Sequence, residues 1–202
     1  MNVLLSTTYF GPIQWYQKLY RADEVWIERW ERFQKQTYRN RCIIATANGP
    51  QALTVPVVHD PEALPGAQRI SDHGNWRHLH WNALKSAYGE SPFFDYYQDD
   101  LRPFFEDRWT YLLDFNEAIR QKMCELIDIS PNVVLSEEWR EEGGGRIDRD
   151  YRTAIRPKQP LADPDFVPRP YYQVYRDKHG FLPNLSILDL LLNMGPEAIF
   201  YL

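Results

Sequence analysis

The sequence predicts an α/β fold, and three observations predict it. A buried first strand over 2–7, a helix beginning near Pro12 and a second strand over 24–28 follow one another closely. Strand, helix and strand at this spacing form a βαβ unit, which favours parallel pairing with a right-handed crossover. A hairpin and a run of helices come later in the chain. We therefore expect a mixed sheet covered by a layer of three helices.

The first helix is defined by its start and its period. Pro12 suits the first helical turn, where its missing N–H costs no hydrogen bond. Ile13, Tyr16 and Leu19 then recur at helical spacing. Ala22 and Asp23 end the helix immediately before the second strand.

The stretch TYRNRCIIATANGPQALTVPV at 37–57 predicts the hairpin. A β-branched run over 41–47 and a second run over 52–57 flank Asn48-Gly49. Asn and Gly tolerate the positive φ of a tight turn, so the two runs should pair antiparallel.

Three helices are predicted in the middle of the chain. The first has an apolar stripe from Trp76 to Ala87, with the residues at i, i+3, i+4 and i+7 on one face. Ser91-Pro92 starts the second, which Pro103 should kink or divide. The third has its apolar face between Leu112 and Leu126.

The last third of the chain has a short predicted strand, a long predicted loop and a short predicted helix. A late strand is predicted over 133–136, and a long Pro- and Gly-rich loop over 137–170. A structureless stretch of that length is commonly functional or disordered. A last short helix over 186–193 has Ser186 as its N-cap and Asp189 as a capping-box partner.

Composition limits the class of protein. The chain has 202 residues, within the range of one domain, and 44% hydrophobic and 25% charged residues, as in ordinary globular proteins. The net charge of −5 is against general nucleic-acid binding. The N-terminus lacks the basic region of a signal peptide, and no apolar run reaches the length of a membrane helix. We expect one cytoplasmic domain over 1–202, without membrane insertion; no cofactor is indicated.

Polar residues are crowded where the hairpin begins, at Arg39, Asn40 and Arg41. Guanidinium groups bind carboxylate or phosphate in bidentate fashion, and α/β sheets commonly bind ligands at strand ends. One interpretation is an anion or sugar-phosphate site. The other is a solvated loop with ordinary salt bridges.

Two further residues could move a proton. Glu28 ends the second strand, where a carboxylate could act as a general base; the alternative is an exposed acidic loop that also contains Glu31. His80 joins the apolar stripe of its helix, as a hydrogen-bonded core residue or as a partly buried proton-transfer group. His78 and His80 point about 200° apart on a regular helix and cannot share an ion, so no metal site is predicted.

The segment DRDYRTAIRPK holds Arg149, Arg152, Arg156 and Lys158 in an otherwise acidic chain. It could be a mobile arm that closes over an anionic ligand, or a solvated flexible loop. The glycines at 143–145 lack the Lys-Ser/Thr that follows in a phosphate-binding loop.

Long ordered blocks of the sequence resemble the WbqC-like family of bacterial proteins, in particular a branch found in Bacteroidetes. The blocks are YFGPIQWYQKLYRADEVWIE, KQTYRNRCIIATANGPQALTVPV, WRHLHWNALKSAYGESPFFDYYQDD, DYRTAIRPK and the C-terminal YYQVYRDKHGFLPNLSILDLLLNMGPEAIFYL. Many members begin with a His-Gln-Pro-type motif on the first strand, where this chain has Ser6-Thr7-Thr8. The Asn40-Arg41 pair, Trp76 and His80 match.

The resemblance implies a bacterial cytoplasmic protein of surface-polysaccharide or sugar-nucleotide metabolism, because the family is named after a gene of O-antigen clusters. Our hypothesis is a transferase that acts on a sugar nucleotide or small acylated sugar. The residues that would hold the ligand are Tyr9, Gln14, Arg39, Asn40, Arg41, Arg152 and Lys158. Glu28 or His80 would move a proton.

Two other classes of function stay open. A non-catalytic binding or scaffold protein could use an aromatic surface around Phe93, Phe94, Tyr96 and Tyr97. Nucleic-acid binding through 149–158 is disfavoured by the acidic total.

Overall fold

The computed structural model describes residues 1–141 and 146–202 and confirms the α/β fold. The strands are β1 (Asn2–Ser6), β2 (Glu24–Glu28), β3 (Arg41–Thr46), β4 (Gly49–Thr54), β5 (Val133–Leu135) and β6 (Arg149–Asp150). The helices are α1 (Ile13–Arg21), α2 (Trp76–Tyr88), α3 (Phe94–Leu101), α4 (Leu112–Ile127), α5 (Arg176–His179) and α6 (Ile187–Met194). Short 3-10 helices occupy His73–Asn75, Arg102–Phe105 and Gly195–Tyr201.

A parallel sheet with the strand order β5-β2-β1-β6 forms the framework. β1 pairs with β2 from Asn2 opposite Glu24 to Ser6 opposite Glu28, as the βαβ unit predicts. Val3, Leu4 and Leu5 are fully buried, so both faces of β1 are covered.

The strand order reverses beside β1. The chain leaves β1 through α1 and pairs β2 on one side, whereas β6 pairs parallel to β1 on the other side. In open parallel sheets, ligands bind outside the carboxyl ends of the strands at such a switch point. The residues that follow Ser6 and Asp150 therefore lie at the expected ligand position.

The predicted hairpin forms, with β3 antiparallel to β4. Its turn lies one residue earlier than predicted, at Ala47-Asn48, and Gly49 begins β4 with φ 104° opposite Thr46. Parallel and antiparallel pairing are both present but belong to two sheets, since among the described strands β3 and β4 pair only with each other. The N–H of Ser186 donates to the carbonyl of Ile43 at 2.8 Å. The residue before α6 thus bonds to the outer edge of β3.

The predicted helical layer packs through aromatic rings. The ring of Phe115 on α4 lies 5.8 Å from that of Tyr9 and 6.1 Å from that of Trp76, measured between centroids. The second predicted helix is divided: α3 ends at Leu101, and a 3-10 helix containing Pro103 follows, because proline cannot continue the backbone hydrogen bonding.

The last predicted helix forms, with one correction. Ser186 caps α6 by accepting the N–H of Leu188 at 3.3 Å. Asp189 takes no part in a capping box; it accepts the hydroxyls of Tyr88 at 2.8 Å and Tyr171 at 2.6 Å. Burial raises the pKa of Asp189.

The Pro-rich segment 137–170 is mostly irregular in its described part but is tied to the fold. Lys18 Nζ lies 2.7 Å from Asp163 Oδ2, and these side chains are 3% and 4% exposed. Separating the two side chains would leave a buried charge without its partner, which is costly. The ion pair therefore holds the segment against α1. The glycines at 143–145, considered above as a phosphate loop, lie outside the described residues.

In the two described ranges, no helix combines the length and the apolar character needed to cross a membrane.

Candidate functional site

Polar side chains gather at the carboxyl edge of the parallel sheet. Ser6 ends β1, Glu28 ends β2, and Arg152 follows β6 by two residues. The hydroxyl of Ser6 donates to Glu31 at 3.0 Å, and Arg152 Nη1 lies 3.5 Å from Glu28 Oε2. Parallel pairing produces this convergence, because the strands all end at the same edge.

Glu28 is buried and has its carboxylate oxygens engaged. Oε1 accepts the N–H of Trp30 at 2.8 Å and the hydroxyl of Ser136 at 2.7 Å. Oε2 accepts the N–H of Arg140 at 2.9 Å and faces Arg152. A carboxylate with these partners holds the ends of β2 and β5 together, and little of it is free to reach a substrate.

Arg152 is held by Asp150 and Trp139. Its Nε lies 3.0 Å from both carboxylate oxygens of Asp150, and its guanidinium lies 4.6 Å from the ring centroid of Trp139. Burial lowers the pKa of Arg152, but the hydrogen bond and charge of Asp150 outweigh it and hold the pKa above its usual value. Arg152 is thus a permanent cation whose charge is compensated.

Arg39 is a second compensated cation. It forms an ion pair with Glu31 through Nη2 and Nε, and Nη2 also donates to Ser6 Oγ at 3.0 Å. The two side chains of the pair are 6% and 10% exposed. Ser6, Glu31 and Arg39 therefore form one linked group at the end of β1.

A narrow cavity of about 50 Å³ opens at the switch point between β1 and β6. A space of this size holds one small polar group of a ligand. Its lining is Ser6, Thr7, Thr8, Trp15, Gln34, Thr37, Tyr38, Arg39, Tyr151, Arg152, Thr153, Ile155 and Arg156. Hydroxyls and guanidinium groups predominate among the polar atoms, and burial raises the pKa of the Tyr38 hydroxyl to about 12, so it stays protonated at neutral pH.

Thr8, one of the residues that line the cavity, has an unsatisfied hydroxyl. The residue is 5% exposed, and its Oγ1 is buried without a hydrogen-bond partner among the described residues. A buried hydroxyl without a partner costs about 1–3 kcal/mol. A Cβ at Gly11 would lie 2.4 Å from this oxygen, so only glycine leaves the hydroxyl its room.

Arg156 supplies the uncompensated charge. Its Nε donates to the carbonyl of Gln159 at 2.7 Å, and no carboxylate of residues 1–141 or 146–202 forms an ion pair with it. Because Arg39 and Arg152 already have carboxylate partners, Arg156 is the lining cation best placed to attract an anion.

A wide groove of about 620 Å³ adjoins the cavity. The two spaces share Gln34, and Glu31, which lines the groove, contacts Ser6 and Arg39 of the cavity. The groove is lined by Trp30, Glu31, Arg32, Gln34, Pro65, Glu137, Glu138 and Trp139. Its volume lies in the range of small-molecule sites.

The hairpin residues Asn40 and Arg41 do not join this cleft. Asn40 Nδ2 donates to the carbonyl of Val55 at 2.8 Å in the core. Arg41 Nε donates to Thr54 Oγ1 at 3.2 Å on the outside of the hairpin. The expected grouping of Arg41 with Tyr9, Glu28 and His80 is therefore not found, because the hairpin is a separate sheet.

Tyr9 and His80 form a buried pair in the aromatic core. Tyr9 Oη lies 2.8 Å from His80 Nδ1, and the ring of His80 lies 5.1 Å from that of Trp76. Burial lowers the pKa of His80 to about 4, partly opposed by a hydrogen bond to the backbone of Thr54. His80 is thus neutral at pH 7.

Gln14 contacts the 151–170 segment, and Lys158 belongs to it. Gln14 Nε2 donates to Asp163 at 2.8 Å, beside the Lys18 ion pair. Lys158 is exposed, and its Nζ donates to Gln36 Oε1 at 3.0 Å. Neither side chain lines the cavity.

Sequence reasoning missed Thr7, Thr8, Trp30 and Trp139, and it noted Arg156 without selecting it. The one available signal was position: Thr7 and Thr8 directly follow the first strand. Within the described parts of the chain, no three His, Cys, Asp or Glu side chains are arranged to hold a metal ion.

The protein is an α/β protein with an open parallel sheet and a polar cleft at the switch point of that sheet. The chain belongs to the WbqC-like protein family, whose model matches residues 7–155. It is 30% identical to the uncharacterized protein Rv1507c of Mycobacterium tuberculosis (strain ATCC 25618 / H37Rv), over 90% of this chain and 88% of that protein. No solved structure matches the chain.

Proposed function

We propose that the protein is a cytoplasmic bacterial transferase that acts on a sugar nucleotide or a small acylated sugar in surface-polysaccharide biosynthesis. The observation that carries the proposal is the switch-point cavity, where Arg156 has no carboxylate partner and the hydroxyl of Thr8 has no hydrogen-bond partner in the described chain. Membership of the WbqC-like family supports the metabolic context, because the family is named after a gene of O-antigen clusters.

The anionic group of the ligand binds in the cavity. Arg156 supplies the charge, and the hydroxyls of Thr7, Thr8 and Thr153 supply neutral donors around it. Guanidinium and hydroxyl donors match phosphate oxygens in number and geometry. The rest of the ligand extends over the rim, since the cavity of about 50 Å³ accommodates one small group.

Glu31 lies between the cavity and the groove, but Arg39 and Ser6 hold both of its carboxylate oxygens. We therefore assign proton transfer to Glu137 or Glu138, which line the groove and are exposed. The hydroxyl of an acceptor in the groove gives its proton to one of these two glutamates, and its oxygen bonds to the transferred group. The bond to the phosphate leaving group breaks, and the oxygen that departs with the electron pair is stabilised by Arg156. In this proposal Glu28, Tyr9 and His80 hold the framework.

Arg39 and Arg152 orient the cleft in the same scheme. Each is tied to a carboxylate, Glu31 for Arg39 and Asp150 for Arg152, so neither contributes free charge. They keep a fixed wall of N–H donors beside the bound anion. Asn40, Arg41, Gln14 and Lys158 are given no ligand contact.

The alternative of a non-catalytic scaffold has weaker support. Of its proposed aromatic surface, Phe94 and Tyr97 are each 4% exposed, whereas Tyr96 is 73% exposed. One exposed ring offers little area for a partner protein.

A ligand panel tests the proposal. Thermal unfolding is measured with UDP-, GDP-, dTDP- and CMP-sugars, acetyl-CoA and inorganic phosphate. For each nucleotide sugar that binds, ³¹P NMR follows release of the nucleotide, and for acetyl-CoA a thiol titration follows release of coenzyme A. A ligand of the native state raises the unfolding temperature by mass action. Stabilisation by a nucleotide sugar or acyl carrier followed by turnover is expected. No stabilisation by any compound at millimolar concentration would overturn the proposal, and binding without turnover would favour the scaffold.

A further inference from the structure

The groove beside the cavity has two exposed tryptophans. Trp30 is 41% exposed and Trp139 is 52% exposed, and both line the same space of about 620 Å³. Indole rings left partly in water carry apolar area that a ligand can cover. Trp139 already packs on the guanidinium of Arg152 at 4.6 Å, so its ring is held in place before any ligand binds.

Pro65, which lines the groove beside the two tryptophans, is also held in place. Pro65 is carried by a turn in which Gly66 has φ 77° and donates its N–H to the carbonyl of Glu31 at 3.2 Å. A Cβ at Gly66 would lie 2.2 Å from the carbonyl oxygen of Arg29. The turn can therefore pack this closely on the chain around Trp30 only with glycine.

The charges of the groove differ from those of the cavity. Three glutamates line it, Glu31, Glu137 and Glu138, and Arg32 supplies the one guanidinium among the lining residues. Arg39 already balances the charge of Glu31, so Glu137 and Glu138 outnumber Arg32 by one. Carboxylates accept hydrogen bonds from hydroxyl and ammonium groups and repel anions. The groove is thus unsuited to phosphate and suited to a polyhydroxylated or amino-bearing ligand.

We propose that this groove binds the acceptor, and that the acceptor is a neutral or amino-bearing saccharide whose ring stacks on Trp30 or Trp139 while the glutamates accept its hydroxyl or ammonium hydrogens. The sugar ring presents C–H groups to the indole face, and its hydroxyls point outward to the carboxylates. Calling the ligand an acceptor depends on the proposed function, but the binding of a saccharide does not.

Saturation-transfer difference NMR on the full chain tests the inference. The probes are chitobiose, lactose and glucosamine, with glucuronic acid and uridine for comparison. The variants are Trp30→Ala, Trp139→Ala and Trp139→Phe, and the matched control is Tyr96→Ala, which removes an exposed ring on α3 outside the groove. A thermal melt of each variant shows that it is folded.

We expect saturation of at least one of the three sugar probes, with affinity reduced at least about tenfold by Trp139→Ala or Trp30→Ala, partly retained in Trp139→Phe and unchanged in Tyr96→Ala. Glucuronic acid should bind more weakly than glucosamine. Absence of binding by all three sugars, or binding that neither tryptophan affects, overturns the inference. Tryptophan-dependent binding of uridine instead would make the groove the nucleoside part of the donor site and also overturn it.

The ligand panel and the saccharide NMR experiment together distinguish failure of the proposed function from failure of the acceptor groove. Sugar-nucleotide binding in the ligand panel together with no saccharide binding would leave the proposed function in place and remove the acceptor groove. Saccharide binding through the tryptophans without any nucleotide or acyl ligand would do the reverse.

Discussion

The side chains of Glu28 and Arg152 meet at the carboxyl edge of the sheet, with Arg152 Nη1 3.5 Å from Glu28 Oε2, although 124 positions separate them in the chain. The contact joins the end of β2 to the segment after β6 across the intervening β1. It closes one side of the cleft in which Arg156 and Thr8 lie. A ligand site at this edge of the sheet therefore requires that the Glu28–Arg152 contact be formed.

Glu28→Gln should destabilise the fold. The carboxamide keeps the shape of the side chain, but its NH₂ group must face either Ser136 Oγ and the N–H of Trp30 or the N–H of Arg140. We expect a loss of about 1–3 kcal/mol in the free energy of unfolding, measured in urea. Unchanged stability with abolished turnover would instead make Glu28 a catalytic base.

His80 should make stability depend on pH in the acid range. Burial lowers its pKa to about 4 from 6.5, so between these values the unfolded state binds more protons than the folded state. The contribution is complete above about pH 6.5 and is lost as the pH falls towards about 4, amounting to roughly 3 kcal/mol. Denaturation at several pH values compares the wild type with His80→Gln, which lacks this component. Parallel curves for the two proteins would show that His80 titrates normally.

Asp163→Asn should release the 151–170 segment. The variant leaves the ammonium of Lys18 buried without its carboxylate, which costs about 3–5 kcal/mol when the segment stays in place. Limited proteolysis should then cut within residues 157–170 faster than in the wild type. Asp165→Asn is the matched control, because Asp165 is exposed and forms no ion pair within the described ranges. Equal cleavage of both variants would remove the assigned role of the Lys18 contact.

Arg156→Ala should weaken binding of the anionic ligand without unfolding the protein. Among residues 1–141 and 146–202 the guanidinium has a single hydrogen bond, to the carbonyl of Gln159, so its removal should change stability by less than about 0.5 kcal/mol. Loss of a charge-assisted contact should reduce affinity at least about tenfold by calorimetry. Arg169→Ala removes an exposed arginine that also donates to a backbone carbonyl, that of Phe200, and should leave affinity unchanged. Equal affinity of the Arg156 variant and the wild type would exclude Arg156 from the site.

The local sequence predicts the helices and strands of this fold well, but it predicts the tertiary contacts between their side chains only in part. The βαβ unit can be read from Pro12 and the apolar spacing after it, and it correctly places Glu28 at a strand end. Arg41 was expected in the cleft with Arg39, two residues earlier. The structure separates them because Arg41 begins β3 and contacts Thr54 of β4 on the exposed side of the hairpin, whereas Arg39 precedes the strand and pairs with Glu31.

The other residues of the cleft depend on information that no short segment contains. Arg156 stands out only once Arg39 and Arg152 are known to have carboxylate partners. Trp139 lies in a segment that was predicted as a structureless loop, and its place in the groove follows from packing against Arg152. Which residues form the candidate site therefore depends on ion pairing and packing between segments that are distant in the sequence.

Thr8→Val, examined with the sugar nucleotide that stabilises the protein most in the ligand panel, tests the central claim most directly. The variant replaces a buried hydroxyl without a partner by a methyl group, so the free protein should be as stable as the wild type or more stable by up to about 1 kcal/mol. Calorimetry should nevertheless show affinity reduced at least about tenfold, because the hydroxyl serves the ligand. Unchanged affinity, or a variant that is markedly less stable, would contradict a ligand site between β1 and β6.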